Sequence, residues 1–297
     1  MLSHLALYAG AFIGIWIGSG LSIKAVEHLS RKLKLSSFAV SFLLLGFFTS
    51  ASEISVGINS VLSNNPEIYV GNLIGASLVL FVLVVPLLAI VTGKVVINKQ
   101  FQGSTLFYSL VVIAAPVVLA ADGQIGKLDS IICIVLYVIL AVAIESKRGL
   151  LAAATQKTPF PTAHMAKIVL GMLGGLALVF FSSKIVVTQT LYLSEALGVS
   201  SFLLSLLLIS IGTNIPELSF VFRSMFSRSN QVAFGDYVGS AAFNTFLIGI
   251  LTLYYGQTVQ LTNSYLVSLS FLVVSLVVFY IYARTKGSLS RLEGFCL

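Results

Sequence analysis

Apolar runs recur along the whole chain, separated by short polar links. Each run is about 20 residues long, enough to cross a hydrocarbon core about 30 Å thick. The pattern predicts membrane-spanning helices near 5–28, 37–62, 68–93, 104–121, 128–145, 165–193, 200–226, 231–254 and 264–283. The longest link runs from Glu145 to Lys167, and Pro159 and Pro161 break any helix within it. No link is large enough to hold a soluble domain or a nucleotide-binding unit.

A second pattern lies over the first. A shift of 164 residues, the interval from Glu53 to Glu217, brings two stretches into register without a gap. Ser36-Ser37-Phe38 meets Ser200-Ser201-Phe202. Thr49 meets Thr213, Ser55 meets Ser219 and Ser60 meets Ser224, while Gly71 and Gly75 meet Gly235 and Gly239. The match extends to Lys127-Leu128-Asp129-Ser130 against Arg291-Leu292-Glu293-Gly294. Paired Thr, Glu and Gly at one fixed offset are the signature of a duplicated unit.

Each unit holds five helices, an odd number, so the second enters the membrane upside down relative to the first. The expected fold is an all-α polytopic membrane protein of two inverted five-helix repeats. Residues 1–146 form the first repeat, 147–164 a cytoplasmic linker and 165–297 the second. Ten helices are expected. The tenth is truncated in this reading, because its counterpart spans Leu128 to Glu145 whereas the sequence ends at Leu297.

Composition agrees with a membrane protein. The chain of 297 residues is 58% hydrophobic and 9% charged, against about 25% charged in soluble domains. The net charge of +7 does not mark a nucleic-acid protein, because the basic residues sit in short alternate loops. Those loops carry Arg31, Lys32, Lys34, Lys94, Lys99, Lys147, Arg148, Lys157, Lys167, Arg223, Arg228, Arg284, Lys286 and Arg291, or 14 of the 17 Lys and Arg. By the positive-inside rule these loops are cytoplasmic and the N-terminus is outside the plasma membrane. No basic segment precedes the first apolar run, so the first helix is expected to stay in the membrane. Cys133 and Cys296 have no metal or disulfide spacing. His4, His28 and His164 fall at helix ends or in loops, so no Ser–His pair lies at membrane depth and enzymatic motifs are absent.

Chemistry concentrates at the two glutamates. An acidic residue at a helix centre costs about 2.5–3.5 kcal/mol on insertion scales and usually marks function. A protonated, hydrogen-bonded glutamate could be structural. Two at matching depths, each four residues after a threonine, point instead to a shared cation. Residues i and i+4 lie on one helix face, so Thr49 with Glu53 and Thr213 with Glu217 offer oxygens in one direction. In the second copy Pro216 cannot donate to the Gly212 carbonyl, which is then free to face a cation. The first copy lacks that glycine and proline; there Ser50 and Ser52 bond the backbone or line the site. The next helices open with Gly71-Asn72-Leu73-Ile74-Gly75 and Gly235-Asp236-Tyr237-Val238-Gly239, where glycines four apart permit close contact. Asp236 reads either as a third acidic ligand or as a helix cap. Ser240 and Asn244 offer oxygens where the first copy has Ala76 and Leu80, with Ser77 nearby.

These residues resemble the cation/calcium exchanger superfamily, which contains the sodium/calcium and proton/calcium antiporters. Its two repeats carry Gly-Thr-Ser-x-Pro-Glu on one helix and Gly-Asn-x-x-Gly-Ser-Asn-x-x-Asn on the next. Gly212 to Glu217 and Gly235 to Asn244 are similar at most marked positions. The first copy keeps Thr49, Ser50, Glu53, Gly71, Asn72 and Gly75, but has Phe48, Ser52, Ala76 and Leu80 where the family has Gly, Pro, Ser and Asn or Asp. The resemblance implies an antiporter of the compact prokaryotic type, working by alternating access as the first and sixth helices slide. It implies that Glu53 and Glu217 hold Ca2+ beside Thr49 and Thr213, with Ser50, Ser240 and Asn244 contributing. It also implies that the counter-ion is Na+ or H+, that no cofactor is needed, and that the partners include the lipid bilayer and no nucleic acid. Exchange of another cation, and a non-transporting cation-binding paralogue, are the competing readings.

Overall fold

The computed structural model describes residues 2–32, 50–96, 103–146, 162–224, 230–261 and 265–297. Among the described residues the fold is helical apart from two short ribbons. In chain order come α1 (Leu2–Lys32), α2 (Ala51–Leu62), α3 (Pro66–Thr92), β1 (Lys94–Val96), α4 (Ser104–Leu119), β2 (Gln124–Ile125) and α5 (Lys127–Ser146). Then follow α6 (Thr162–Leu197), α7 (Ser201–Thr213), α8 (Ile215–Ser224), α9 (Asn230–Tyr255), β3 (Val259–Gln260), α10 (Tyr265–Lys286), β4 (Ser288–Ser290) and α11 (Arg291–Cys296). Among the described residues six helices are long and apolar enough to cross a membrane. The expected span over 37–62 is described only from Ser50 onward. The span expected over 200–226 is divided at Asn214 into α7 and α8.

Burial is distributed as a bilayer requires. Leu128, Ile131, Ile132, Val135, Val138, Ile139 and Val142 are exposed along one face of α5, while Cys133, Leu140 and Ile144 are buried on the other. Hydroxyl, amide and carboxyl side chains go inside: Ser50, Ser52, Glu53, Asn59, Asn72, Thr213, Asn214, Glu217, Ser240 and Asn244 are all buried. A water-facing protein would bury the leucines and solvate the glutamates. Lipid offers polar groups nothing, so they must find partners within the bundle.

The ribbons repeat the 164-residue offset. Val95 pairs with Leu289 and Val96 with Ser288 in one; Val259 pairs with Ile125 and Gln260 with Gln124 in the other. Moving either pairing by 164 residues reproduces its counterpart, with the strands exchanged. Gly123 and Gly287, which stand in the same relation, both adopt positive φ (85° and 60°) just before β2 and β4. An L side chain is strained there, so glycine suits both corners. The α11 helix also starts at the position equivalent to the start of α5. A Ser290–Glu293 capping box holds it, and Gly294 lies against the Pro86 carbonyl of α3.

Close packing rests on small residues, because lipid tails give no hydrophobic drive between helices. The α1 helix packs most extensively on α6, crossing where Gly18 and Gly175 each face the other's carbonyl. The α3 helix lies against α7 in the same way. A Cβ at Gly71 would strike the Phe202 carbonyl, and one at Gly75 the Leu206 carbonyl and Ser210. The Gly-Asn-x-x-Gly motif therefore presses one glutamate segment's neighbour onto the other glutamate segment.

Candidate ion site

The site forms where α2, α3, α7–α8 and α9 meet. At Asn214 the helix turns with φ −89° and ψ 9°, and Pro216 becomes the second residue of α8. Ser50, the equivalent residue, starts α2 with φ −75° and ψ 10°. Both glutamates thus stand in the first turn of a helix that begins inside the bundle. Helix N-termini favour negative charge, which lowers the cost of burying these carboxylates.

Polar contacts join residues far apart in sequence. The Ser52 hydroxyl donates to Glu53 Oε2 at 2.8 Å and stands 3.4 Å from the Thr213 carbonyl. The Thr213 hydroxyl meets the Glu53 carboxyl and lies 3.3 Å from Asn72 Oδ1. Ser50 and Ser240 share a hydrogen bond of 3.1 Å. Asn244 Nδ2 reaches Ser77 Oγ at 3.3 Å and the Leu73 carbonyl at 3.4 Å, whereas its Oδ1 is buried without a hydrogen-bond partner. Tyr237 donates to the Glu217 carbonyl at 3.4 Å. On the flanks, Phe12 of α1 lies over Gly212, and Trp16 donates to Ser219 at 2.9 Å. Asn59 donates to Ser183 of α6 at 2.8 Å.

The structure therefore joins Ser52, Glu53, Thr213 and Asn72 in one group and Ser50 with Ser240 in a second, with Glu217 one turn beyond Thr213. Thr49 lies outside the described residues, as does the side chain of Asp236. One expectation is corrected. Asp236 is not a helix cap, since α9 already starts at Asn230 and places it in the second turn. The Asn214 N–H bonds the Ser210 carbonyl at 3.2 Å. The carbonyl that reaches the other segment is that of Thr213. No group of three or more His, Cys, Asp or Glu comes together among the described residues. Any cation held here must take neutral oxygens besides carboxylates.

The sodium/calcium exchanger protein family model matches residues 3–144 and 167–297. The chain belongs to that family. It is therefore a membrane transporter and not an enzyme, and in this family Ca2+ and Na+ are cargo, with no cofactor. Among relatives, an uncharacterized membrane protein of Methanocaldococcus jannaschii is 24% identical over 76% of this chain and 73% of its own length. CaxA of Alkalimonas amylolytica, named as an antiporter, is 24% identical over 82% of this chain and 78% of its own. The solved sodium-calcium exchanger NCX_Mj superposes with a TM-score of 0.70 at 21% identity, covering 99% of this chain and 94% of that one. That likeness establishes the exchanger fold.

Sequence reading offered Asn72 and Ser77 only as residues that could fill the gap left by Ala76 and Leu80, without naming their partners. Each touches a residue 141 or 167 positions away, which no local pattern reveals. One signal was available. An asparagine inside a close-packing glycine pair is costly in a membrane unless something needs its amide.

Proposed function

We propose that this exchanger moves Ca2+ against Na+ or H+ across the plasma membrane by alternating access, with Glu53 and Glu217 as the ion-binding carboxylates. The observation that carries the proposal is the contact of Ser52 and Glu53 with Thr213, which joins two buried acidic segments at one point. Two carboxylates supply up to four oxygens. Thr49, Thr213, Ser50, Ser240 and Asn244 offer up to five more, enough to complete the six to eight that calcium takes without using all of them. The Thr213 hydroxyl lies 3.3 Å from both Asn72 Oδ1 and the Ser210 carbonyl, so its one proton has acceptors within the protein and its lone pairs can serve a cation; among the described residues Asn244 Oδ1 is an acceptor without a donor.

Charge balance favours exchange over one-way passage. Two bare carboxylates in mid-membrane are costly, and one Ca2+ cancels both. Returning the empty site requires two other positive charges, from Na+ or H+. Ala76 and Leu80 provide no oxygens for sodium, which favours protons as at least part of the return load. Residues 1–146 and 165–297 act as the two inverted halves, with the N-terminus outside and the basic loops, including 147–164, in the cytoplasm.

Radioactive calcium uptake into inverted vesicles tests the function, with sodium and pH gradients imposed separately. Uptake driven by either gradient is expected, and uptake driven by neither would remove the antiporter reading. Orientation is read by an impermeant thiol reagent in a background lacking Cys133 and Cys296. A cysteine at Asn64 should label from outside whole cells and one at Lys157 should not; labelling of both rejects the orientation.

A further inference from the structure

Ser52 occupies the second position of α2, where Pro216 occupies the second position of α8. The family motif has proline here, so the hydroxyl belongs to no part of the pattern that identifies the family. It is fully buried. Among the described residues its proton has two acceptors: Glu53 Oε2 at 2.8 Å and the Thr213 carbonyl at 3.4 Å. A serine hydroxyl has one proton and two lone pairs, so pointing the proton at one acceptor turns the lone pairs elsewhere.

We propose that Ser52 is a further cation ligand of this exchanger. In the empty site its proton satisfies the Glu53 carboxylate. When a divalent cation takes that carboxylate, the proton swings to the Thr213 carbonyl and the hydroxyl oxygen turns its lone pairs to the ion. No bond forms or breaks beyond a hydrogen bond and a coordination contact. The rotation is about the Cβ–Oγ bond, because Oγ already lies within reach of both acceptors. The hydroxyl donor is satisfied in either state, and it supplies Glu53 with a donor that an apolar or proline side chain lacks. The hydroxyl so restores, on the first segment, part of the oxygen count that Ala76 and Leu80 withhold.

The inference rests on the carboxylate site proposed above, so the experiment separates the two. Calcium uptake is measured in vesicles for the wild type, Glu53→Gln, Ser52→Ala, Ser52→Thr and Ser52→Cys. Ser52→Ala should raise the half-saturating Ca2+ about 10-fold, the effect of about 1.4 kcal/mol, and lower the maximal rate by much less. Ser52→Thr, which keeps the hydroxyl, should recover most of the affinity. Ser52→Cys keeps the volume but replaces a hard oxygen with soft sulfur, which suits thiophilic metals and not calcium. It should weaken Ca2+ and make Cd2+ a stronger competitor than in the wild type, a change that a packing role would not produce. It also carries the test should the alanine variant fail to fold. Unchanged half-saturation in Ser52→Ala, or a lower maximal rate alone, overturns the ligand role if Glu53→Gln is inactive. Near-normal uptake in Glu53→Gln overturns the carboxylate site itself, and Ser52 with it.

Discussion

The two glutamate segments reach the same backbone shape by different chemistry. In the second, Gly212 and Pro216 flank a turn at Asn214, and the proline removes a donor so that the helix must restart. In the first, Ser50 adopts nearly the same dihedral angles with neither glycine nor proline around it. Tertiary partners do there what sequence does in the second: Ser50 bonds Ser240 of α9, and Ser52 leans on the Thr213 carbonyl. The break needed to set a carboxylate on a helix N-terminus is thus a property of the fold. The residues lining each break are free to differ, and here the first segment is hydroxyl-rich where the second is proline-set.

The strongest way to break this comparison is to remove one carboxylate at a time. If both segments serve one ion, Glu53→Gln and Glu217→Gln should each cut calcium uptake at least about 100-fold, equivalent to about 2.8 kcal/mol. A lone carboxylate would leave a buried divalent charge half uncompensated. Purified variants should still fold, as judged by monodisperse elution in detergent. A variant with near wild-type uptake would show that its segment is structural and that the two are unlike in role as well as in sequence.

A second test addresses the packing that presses the segments together. Gly75→Val would push side-chain carbons into the Leu206 carbonyl and Ser210, backbone and buried hydroxyl that cannot step aside. Overpacking of this kind costs about 1–3 kcal/mol. The expected result is a lower melting temperature in detergent together with weakened uptake. Gly10→Ala is the control, because nothing stands within 4 Å of a Cβ there; it should melt as the wild type does. Equal melting of all three proteins would mean that α3 need not lie close on α7.

Much of this arrangement was legible in the chain alone. Hydropathy gave the six long apolar helices of the described residues, and the offset of 164 residues gave the paired, buried glutamates. The same offset appears in the ribbon pairings, yet β1 to β4 are too short for any strand pattern to announce them. The contacts Asn72–Thr213, Ser77–Asn244 and Ser50–Ser240 escaped because the partners lie 141 to 190 residues apart, and a propensity window sees only neighbours. The division at Asn214 was half visible. Pro216 signalled a break, but sequence could not say that a new helix would start at Ile215. The π-helical turn Leu80–Val84 in α3 was unforeseen too. There the chain absorbs Pro86, whose missing N–H would otherwise leave a gap in the ladder.

The smallest expected effect concerns position 76, where the two segments differ by a single oxygen. Ala76 is buried, one position before Ser77, and its equivalent is Ser240, which bonds Ser50. Position 80 is no place for a polar graft, because Leu80 is fully buried in the apolar core with Phe81 and Val84; an asparagine there would lose packing and strand its amide. Ala76→Ser adds one hydroxyl at little cost in volume. If the first segment is short of sodium ligands, the substitution should lower the half-saturating Na+ about threefold, well short of the tenfold that 1.4 kcal/mol would give. Proton-driven uptake, measured in the same vesicles without sodium, should move less. Ser77 already supplies an oxygen to Asn244, and if that contact serves sodium then Ala76→Ser will be silent while Ser77→Ala raises the half-saturating Na+. The two substitutions, read side by side, decide whether the first segment lost an oxygen or shifted it by one residue.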